Sequence, residues 1–333
     1  MLLPDLGLRG KSILRLADLA DDQMIGLVDL AEKLKIHKRT LENLSQPLLR
    51  GRNICLIFQK GSTRTHSATV VAANDEGGSA EYMNSHDLHF GKKESIKDSA
   101  RVLGRMFDGI MFRGFSQSTV EALAQYSGIP VWNGLTDEWH PSQILADFQT
   151  IHEHFGRLKG LTLAYVGDGR NNVASSLMVG CAKAGINFIN VCPPELSPSP
   201  EVLALSEDAA RRNGSWIRVE HDPAGGVRGA NVLYTDVWVS MGEEALFQQR
   251  VQLLRPYQVN MEMVRNTGHA SPSEVIFLHC LPAFHNHDTE VSRECGALEV
   301  SDELFESEYS KVFDEAENRM HTIKAMMVVT LMR

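Results

Sequence analysis

The chain of 333 residues lacks a run of about 18 apolar residues, the minimum that a membrane-spanning helix requires. Its N-terminal stretch MLLPDLGLRGKS is interrupted by Pro4 and Asp5, which predicts no signal peptide. Cysteine is scarce: the five residues are irregularly spaced, which argues against a disulfide framework and predicts reduced thiols in a cytoplasmic protein. The net charge of −9 disfavours a nucleic-acid surface, and an anionic substrate would need local positive charge.

Recognisable metal-binding spacing is also missing, although the chain has 13 histidines. His152 and His154 are two residues apart and would point to different sides of a helix. His285 and His287 have no neighbouring cysteine or carboxylate cluster in the sequence. We therefore expect no metal.

A third glycine is absent from the stretch YVGDGRNNVASS, residues 165–176, where Gly167 and Gly169 follow an apolar run. A dinucleotide-binding turn needs that glycine for close packing of helix and strand. Bulky Arg170, Asn171 and Asn172 stand where a pyrophosphate would approach the backbone. A nicotinamide-dependent oxidoreductase is therefore disfavoured.

What the sequence does contain is an alternation of strand-like and helical patterns, typical of parallel sheets covered on both faces by helices. The predicted strands are residues 53–58, 109–113, 130–133, 161–166, 187–191, 216–219, 232–234 and 275–279. The predicted helices are residues 13–35, 68–76, 95–107, 119–127, 142–155 and 317–331. With 43% hydrophobic and 23% charged residues, the chain is predicted to form two globular α/β domains that divide near residue 150.

The stretch FQKGSTRTHSA, residues 58–68, follows the first predicted strand with three hydroxyls and a guanidinium, in Ser62, Thr63, Arg64 and Thr65. A helix N-terminus offers unpaired N–H groups and a partial positive charge, and an arginine fork matches phosphate oxygens. The segment therefore predicts either a phosphate site or an ordinary Ser/Thr helix cap with a surface arginine.

Polar side chains gather after several predicted strands, at the carboxyl edge where open parallel sheets bind ligands. They are Arg64, Arg113 and His140 in the first half, and Asn171, Asn172, Asp236 and Cys280 in the second half. A cleft between the two edges would be cationic on one side, with a carboxylate and a thiol on the other. Taken singly, Arg113 could be an ion-pair residue, Asp236 a turn cap and Cys280 a small buried hydrophobe.

The motifs STRT, HPSQ, DVWVSMG and HCLPAFH, in this order and spacing, resemble the ornithine carbamoyltransferase family over nearly the whole chain. This resemblance implies a carbamoyl-phosphate-binding domain at residues 1–150, an ornithine-binding domain at 151–316 and a C-terminal helix, 317–333, that returns to the first domain. It also implies a homotrimer with active sites between subunits, without a metal or organic cofactor.

The resemblance also assigns roles to individual residues. Arg113 and His140 would polarise the carbamoyl oxygen, and Gln143 would accept from the carbamoyl amide. The residues implied to bind carbamoyl phosphate are Ser62, Thr63, Arg64, Thr65, His89, Arg113, His140, Gln143, Cys280, Leu281 and Arg319. Those implied to bind ornithine are Asn172, Asp236, Ser240 and Met241. Those implied to be catalytic are Arg113, His140, Asp236, Cys280 and Arg319.

Two positions depart from the family pattern. The family motif STRTR has His66 at its fifth position here, and at about 100° per residue this side chain should point away from Arg64. In NSHDLHFGKKES, residues 84–95, His89 replaces a glutamine that reaches the neighbouring subunit's phosphate in the family. An imidazole can still donate a hydrogen bond but would add pH dependence.

The expected reaction is carbamoyl transfer from carbamoyl phosphate to L-ornithine, which gives L-citrulline and phosphate in arginine and ornithine metabolism. Putrescine, acetylornithine and aspartate remain alternative acceptors, although Asp236 and the SMG sequence at 240–242 favour an amino acid with a free α-amine. A non-catalytic anion-binding protein on the same scaffold is the alternative of a different class.

Overall fold

The computed structural model describes residues 3–40, 47–84, 93–239 and 244–332. The chain forms two compact units, one of Met1–Gln149 with Glu317–Arg333 and the other of Thr150–Ala316. Each unit contains one parallel sheet with helices, which confirms the predicted fold class. None of the helices in these described segments is long and apolar enough to cross a membrane.

The first unit is built on a four-stranded parallel sheet in the order β2-β1-β3-β4. Its strands are β1, Asn53–Phe58; β2, Ser79–Asn84; β3, Gly109–Arg113; and β4, Val131–Leu135. All five residues of β3 are buried, as are the last five of β1, as expected for strands covered on both faces. The edge strand β2 is only partly buried, and its mixed sequence SAEYMN gave no strand prediction.

The helices of the first unit follow the predicted pattern, with different ends. They are α1, Asp21–Thr40; α2, Thr63–Asp75; α3, Ile96–Met106; α4, Gln117–Ser127; and α5, Pro141–Phe155, which continues into the second unit. The prediction of one helical segment over residues 13–35 is wrong at its start. Ile13 instead forms a parallel bridge with Trp132, because its backbone bonds to Val131 and Asn133 at the edge of β4.

The second unit contains a five-stranded parallel sheet in the order β7-β6-β5-β8-β9. Its strands are β5, Thr162–Val166; β6, Asn187–Val191; β7, Ile217–Glu220; β8, Val232–Thr235; and β9, Ile276–His279. Its helices are α6, Asn172–Ala184; α7, Pro200–Asn213; α8, Phe247–Leu254; α9, Met261–Asn266; and α10, Asp302–Phe305. The neighbouring strands β5, β8 and β9 are almost wholly buried, so the residues that follow them start from a rigid edge.

The last helix, α11, spans Val312–Leu331, and its residues from Glu317 onward belong to the first unit. Buried polar contacts hold that portion in place. Lys35 donates to Asn318 at 2.7 Å, and Trp132 donates to Thr330 at 3.1 Å. Since each buried polar group would cost free energy without a partner, these contacts fix the rotation of the helix.

His321 of α11 makes the stability of the fold dependent on pH. Burial, together with the charge of Lys324, lowers the pKa of His321 to about 4 from its ordinary 6.5. The unfolded chain therefore binds this proton at a higher pH than the native protein. The contribution is fully present above pH 6.5 and is lost as the pH falls towards about 4.

We expect the free energy of unfolding to depend less on pH between 4 and 6.5 in a His321→Gln variant than in the wild type. One proton contributes at most ~1.4 kcal/mol per pH unit, and buried His140 leaves some dependence in place. Urea unfolding at several pH values measures the slope. The matched control is His287→Gln, at an exposed position. An equal slope in wild type and His321→Gln would contradict the assignment.

Candidate functional sites in the two units

The N-terminus of α2 forms a site suited to an anion in the first unit. Ser62 caps the helix by accepting a hydrogen bond from the backbone N–H of Thr65 at 3.1 Å. Thr63 and Arg64 lie in the same first turn, which contains no acidic residue. The two alternatives for this segment are thus compatible, because Ser62 is the cap and the remaining donors and the helix dipole can still receive an anion.

Arg319 of α11 joins this turn to α5. Its Nη2 donates to Thr65 Oγ1 at 3.0 Å and to Ser142 Oγ at 3.3 Å, and its Nη1 donates to Gln143 Oε1 at 2.5 Å. Gln143 in turn donates through Nε2 to Asp147 at 2.8 Å. These two bonds assign the side-chain oxygen and nitrogen of Gln143.

Buried His140 precedes α5 in a strongly cationic environment. Burial and then the positive charges of Arg319, Arg113 and Arg64 hold the pKa of His140 well below its usual range. The ring is therefore neutral at pH 7. Arg319 Nη1 lies 3.5 Å from Nε2, and because a guanidinium only donates, Nε2 accepts and the proton belongs on Nδ1.

Arg113 is the last residue of β3 and pairs with Phe58, the last residue of β1. It therefore lies at the same carboxyl edge as the α2 N-terminus, as the sequence predicted. Its side chain is buried, so the charge is poorly screened by water. The first unit thus brings together Ser62, Thr63, Arg64 and Thr65 in one turn, and Thr65, His140, Gln143 and Arg319 in one hydrogen-bonded group.

The second unit places a carboxylate and a thiol at the edge of three adjacent strands, as predicted. Asn171 follows β5, Asp236 follows β8, and Cys280 follows β9. Asp236 Oδ1 accepts from Cys280 Sγ at 3.1 Å and from the Val237 N–H at 2.8 Å. Its Oδ2 accepts from Asn171 Nδ2 at 2.8 Å. Asn172, the other predicted asparagine, is the first residue of α6.

The loop after β9 depends on buried residues that sequence reasoning missed. Leu281 has a φ of 55°, in the left-handed region, and its N–H donates to His279 Nδ1 at 2.9 Å. His279 Nε2 lies 3.3 Å from Glu299 Oε1, and the His279 N–H donates to Glu315 at 2.9 Å. The HCLP motif contains His279, but no local pattern could indicate partners 20 and 36 residues later in the chain.

His66 packs away from the polar group of α2, against aromatic side chains. Its ring centroid is 4.5 Å from that of Tyr82 and 6.3 Å from that of Phe58. This contact supports the prediction that His66 is not part of the anion site. His89, Ser240 and Met241 lie outside the described residues.

Two groups of side chains in the described segments have the geometry of metal ligands. The first is Asp236 with His279 and Cys280, whose atoms already form the hydrogen-bond network above. The second is His285 with Asp302 and Glu306, two carboxylates from a later segment that the local spacing did not indicate. The short helix α10 brings these carboxylates to the histidine, and His285 Nδ1 lies 2.6 Å from Asp302. Both acidic residues are exposed, as is common where no metal binds.

Comparison with protein families gives two matches that together span most of the chain. Residues 11–153 match the aspartate/ornithine carbamoyltransferase carbamoyl-P binding domain. Residues 159–330 match the Asp/Orn binding domain of the same family.

Relatives and solved structures match over almost their full lengths. The chain is 53% identical to the catabolic ornithine carbamoyltransferase of Bacillus licheniformis, over 98% of each chain. It is 52% identical to that of Streptococcus ratti, over 97% of this chain and 96% of the relative. The ornithine carbamoyltransferase structure from Pyrococcus furiosus superposes with a TM-score of 0.89 at 40% identity, covering 97% of this chain and 98% of that one.

The α2 site predicts how phosphate affinity responds to substitution. We expect Arg64→Ala to weaken binding of inorganic phosphate by about ten- to a hundredfold, because a charge-assisted hydrogen bond contributes ~1.5–3 kcal/mol. Titration calorimetry measures the affinity directly. His66→Ala, two residues later on the same helix, is the matched control and should bind phosphate as the wild type does. An equal loss in both variants would place His66 in the site.

Proposed function

Because the chain belongs to the aspartate/ornithine carbamoyltransferase family, we propose that it transfers the carbamoyl group of carbamoyl phosphate to the δ-amine of L-ornithine, giving L-citrulline and phosphate. The main structural support for this proposal is that one chain contains two polar sites of opposite charge. One unit holds a cationic, donor-rich group at a helix N-terminus, and the other holds a carboxylate–thiol pair at its sheet edge. An anionic donor and a cationic acceptor require these opposite charges.

Carbamoyl phosphate is held through its phosphate by the first turn of α2. The N–H groups of that turn, the hydroxyls of Ser62, Thr63 and Thr65, and the Arg64 fork supply the donors. Arg319 supports the turn through its hydrogen bond to Thr65. From the family resemblance, His89, Cys280 and Leu281 complete the carbamoyl phosphate contacts.

The carbamoyl carbon is activated by donors aimed at its oxygen. Arg113 supplies a permanent charge, and His140 supplies an N–H from a neutral ring whose pKa is held down by burial and by the three guanidinium groups. Such donors stabilise the negative charge that develops on the oxygen during attack, and need little reorganisation in a buried site. Gln143, fixed by Arg319 and Asp147, accepts from the carbamoyl amide.

Ornithine is bound by Asp236, whose carboxylate attracts an ammonium group, together with Asn172, Ser240 and Met241. The neutral δ-amine attacks the carbamoyl carbon and forms a tetrahedral species. The carbon–oxygen bond to phosphate then breaks, phosphate leaves with the electron pair, and the new amide nitrogen loses its proton. The enzyme positions the reactants and stabilises charge, without a covalent intermediate.

The setting of the reaction is part of the same proposal. A homotrimer with active sites between subunits follows from the family resemblance. A cytoplasmic location is supported by the five cysteines, all present as free thiols, and a role in arginine and ornithine metabolism follows from the proposed reaction.

An assay of ureido product, which is citrulline when L-ornithine is the acceptor, tests the proposed acceptor against alternative amines. We expect kcat/KM for L-ornithine to exceed the corresponding values for putrescine, Nα-acetylornithine and L-aspartate by at least about ten- to a hundredfold. The reason is that each alternative removes or replaces a charged group that the site would hydrogen-bond. Equal use of putrescine would show that the α-amino acid group is not recognised. No product from any amine would favour a non-catalytic anion-binding protein.

Replacement of Arg113 tests its role in the chemical step. We expect Arg113→Ala to reduce kcat by ~10²–10³, the range typical for loss of one donor to a developing oxyanion. Arg101→Ala, at an exposed position of α3, is the matched control and should retain wild-type turnover. Turnover within about threefold of wild type in Arg113→Ala would identify the residue as a structural ion-pair partner.

A further inference from the structure

Asn171 serves two elements of the second unit at once. Its Oδ1 accepts from the Ala174 N–H at 2.8 Å and so caps the N-terminus of α6. Its Nδ2 donates to Asp236 Oδ2 at 2.8 Å. The side chain is only 8% exposed, so water competes little for either bond. We propose that Asn171 is a positioning residue for ornithine, acting through the carboxylate of Asp236.

The hydrogen bonds of Asp236 explain why its position would matter. Asn171 donates to one oxygen, while the Val237 N–H and the Cys280 thiol donate to the other. A carboxylate has about four lone-pair positions, and these donors from the described part of the chain use three of them. We assign the remaining position, on Oδ2, to the substrate ammonium. Because all three donors are neutral, Asp236 keeps its full charge for that partner.

The chemistry of this position requires an amide. Serine or aspartate can cap a helix as well as asparagine, but a serine hydroxyl is shorter and aspartate has no hydrogen to donate at pH 7. Only a side chain with an acceptor and a donor on one short planar group can bond to Ala174 and Asp236 together. An aspartate at 171 would also place two carboxylates in contact, which repel each other.

The loop around Asn171 is held independently of that side chain. Asp168 accepts from the Arg170 N–H at 3.0 Å and forms a buried ion pair with Arg250 at 3.2 Å. The Asn171 N–H donates to the Asp168 carbonyl at 3.2 Å. Replacing the Asn171 side chain should therefore change the orientation of Asp236 without unfolding the loop.

The experiment compares Asn171→Ser with Asn260→Ser. Asn260 caps α9 of the same unit by accepting from the Met263 N–H at 3.0 Å, so the pair separates loss of an asparagine cap from loss of the bond to Asp236. Measurements are the melting temperature, kcat/KM for L-ornithine, and KM for carbamoyl phosphate at saturating ornithine. The inference rests on the proposed function. A wild-type enzyme that makes no citrulline from ornithine would therefore contradict both the role of Asn171 and the proposed function.

With active wild type, we expect Asn171→Ser to lose about ten- to a hundredfold in kcat/KM for ornithine, as for a hydrogen bond to a charged group. Its KM for carbamoyl phosphate should stay within twofold of wild type, and its melting temperature should resemble that of Asn260→Ser. Wild-type kcat/KM for ornithine, or an equal loss in Asn260→Ser, would overturn the inference while leaving the proposed function intact. If Asn171→Ser does not fold, Asn171→Asp keeps the cap acceptor. It should show a still larger loss with ornithine, and wild-type use of ornithine there would equally overturn the inference.

Discussion

The buried positive charge around Arg319 is the constraint on which the first unit depends. Arg319 is only 2% exposed, and removing a cation from water costs several kcal/mol unless hydrogen bonds compensate. Thr65, Ser142 and Gln143 supply neutral acceptors from α2 and α5. The portion of α11 from Glu317 onward therefore belongs with these helices, because its arginine must lie where three acceptors meet. Hydrogen bonds to these three neutral acceptors lower the cost of burial, and the charge of Arg319 still lowers the pKa of His140.

The state of His140 follows from this charge. A histidine in water would be partly protonated near pH 6.5, and a protonated ring beside three guanidinium groups would be strongly disfavoured. The cations that we propose to attract phosphate thus also keep the imidazole neutral, with one defined N–H. An anion in the site would offset part of this positive field. A single electrostatic arrangement accordingly sets both the affinity for the donor and the protonation of a residue assigned to the carbamoyl oxygen.

The sequence pattern predicted most accurately the strands that consist of an apolar run. The apolar runs of β1, β3 and β6 gave those strands with the bounds that the structure has, because both faces of each strand are covered. Strand β2 was missed because an edge strand can be mixed in composition, and residues 13–20 were assigned to a helix although Ile13 pairs with β4. The carboxyl-edge rule predicted that Asp236 and Cys280 would meet. It could not predict Glu299 or Glu315, which reach the loop after β9 from distant segments, and Arg319 entered only through the family resemblance.

Each of the two sites contains a charged residue, Arg319 or Asp236, that is hydrogen-bonded to neutral groups. Two buried cations instead have opposite charges as partners: Lys324 pairs with Asp75 and Glu76, and Arg250 pairs with Asp168. Such pairs are stabilised locally and exert little field on a ligand. Asp236 instead receives hydrogen bonds from an amide, a backbone N–H and a thiol, just as Arg319 donates to hydroxyls and an amide. Hydrogen bonds to neutral groups fix the geometry of a charged group and do not cancel its charge as an ion pair would.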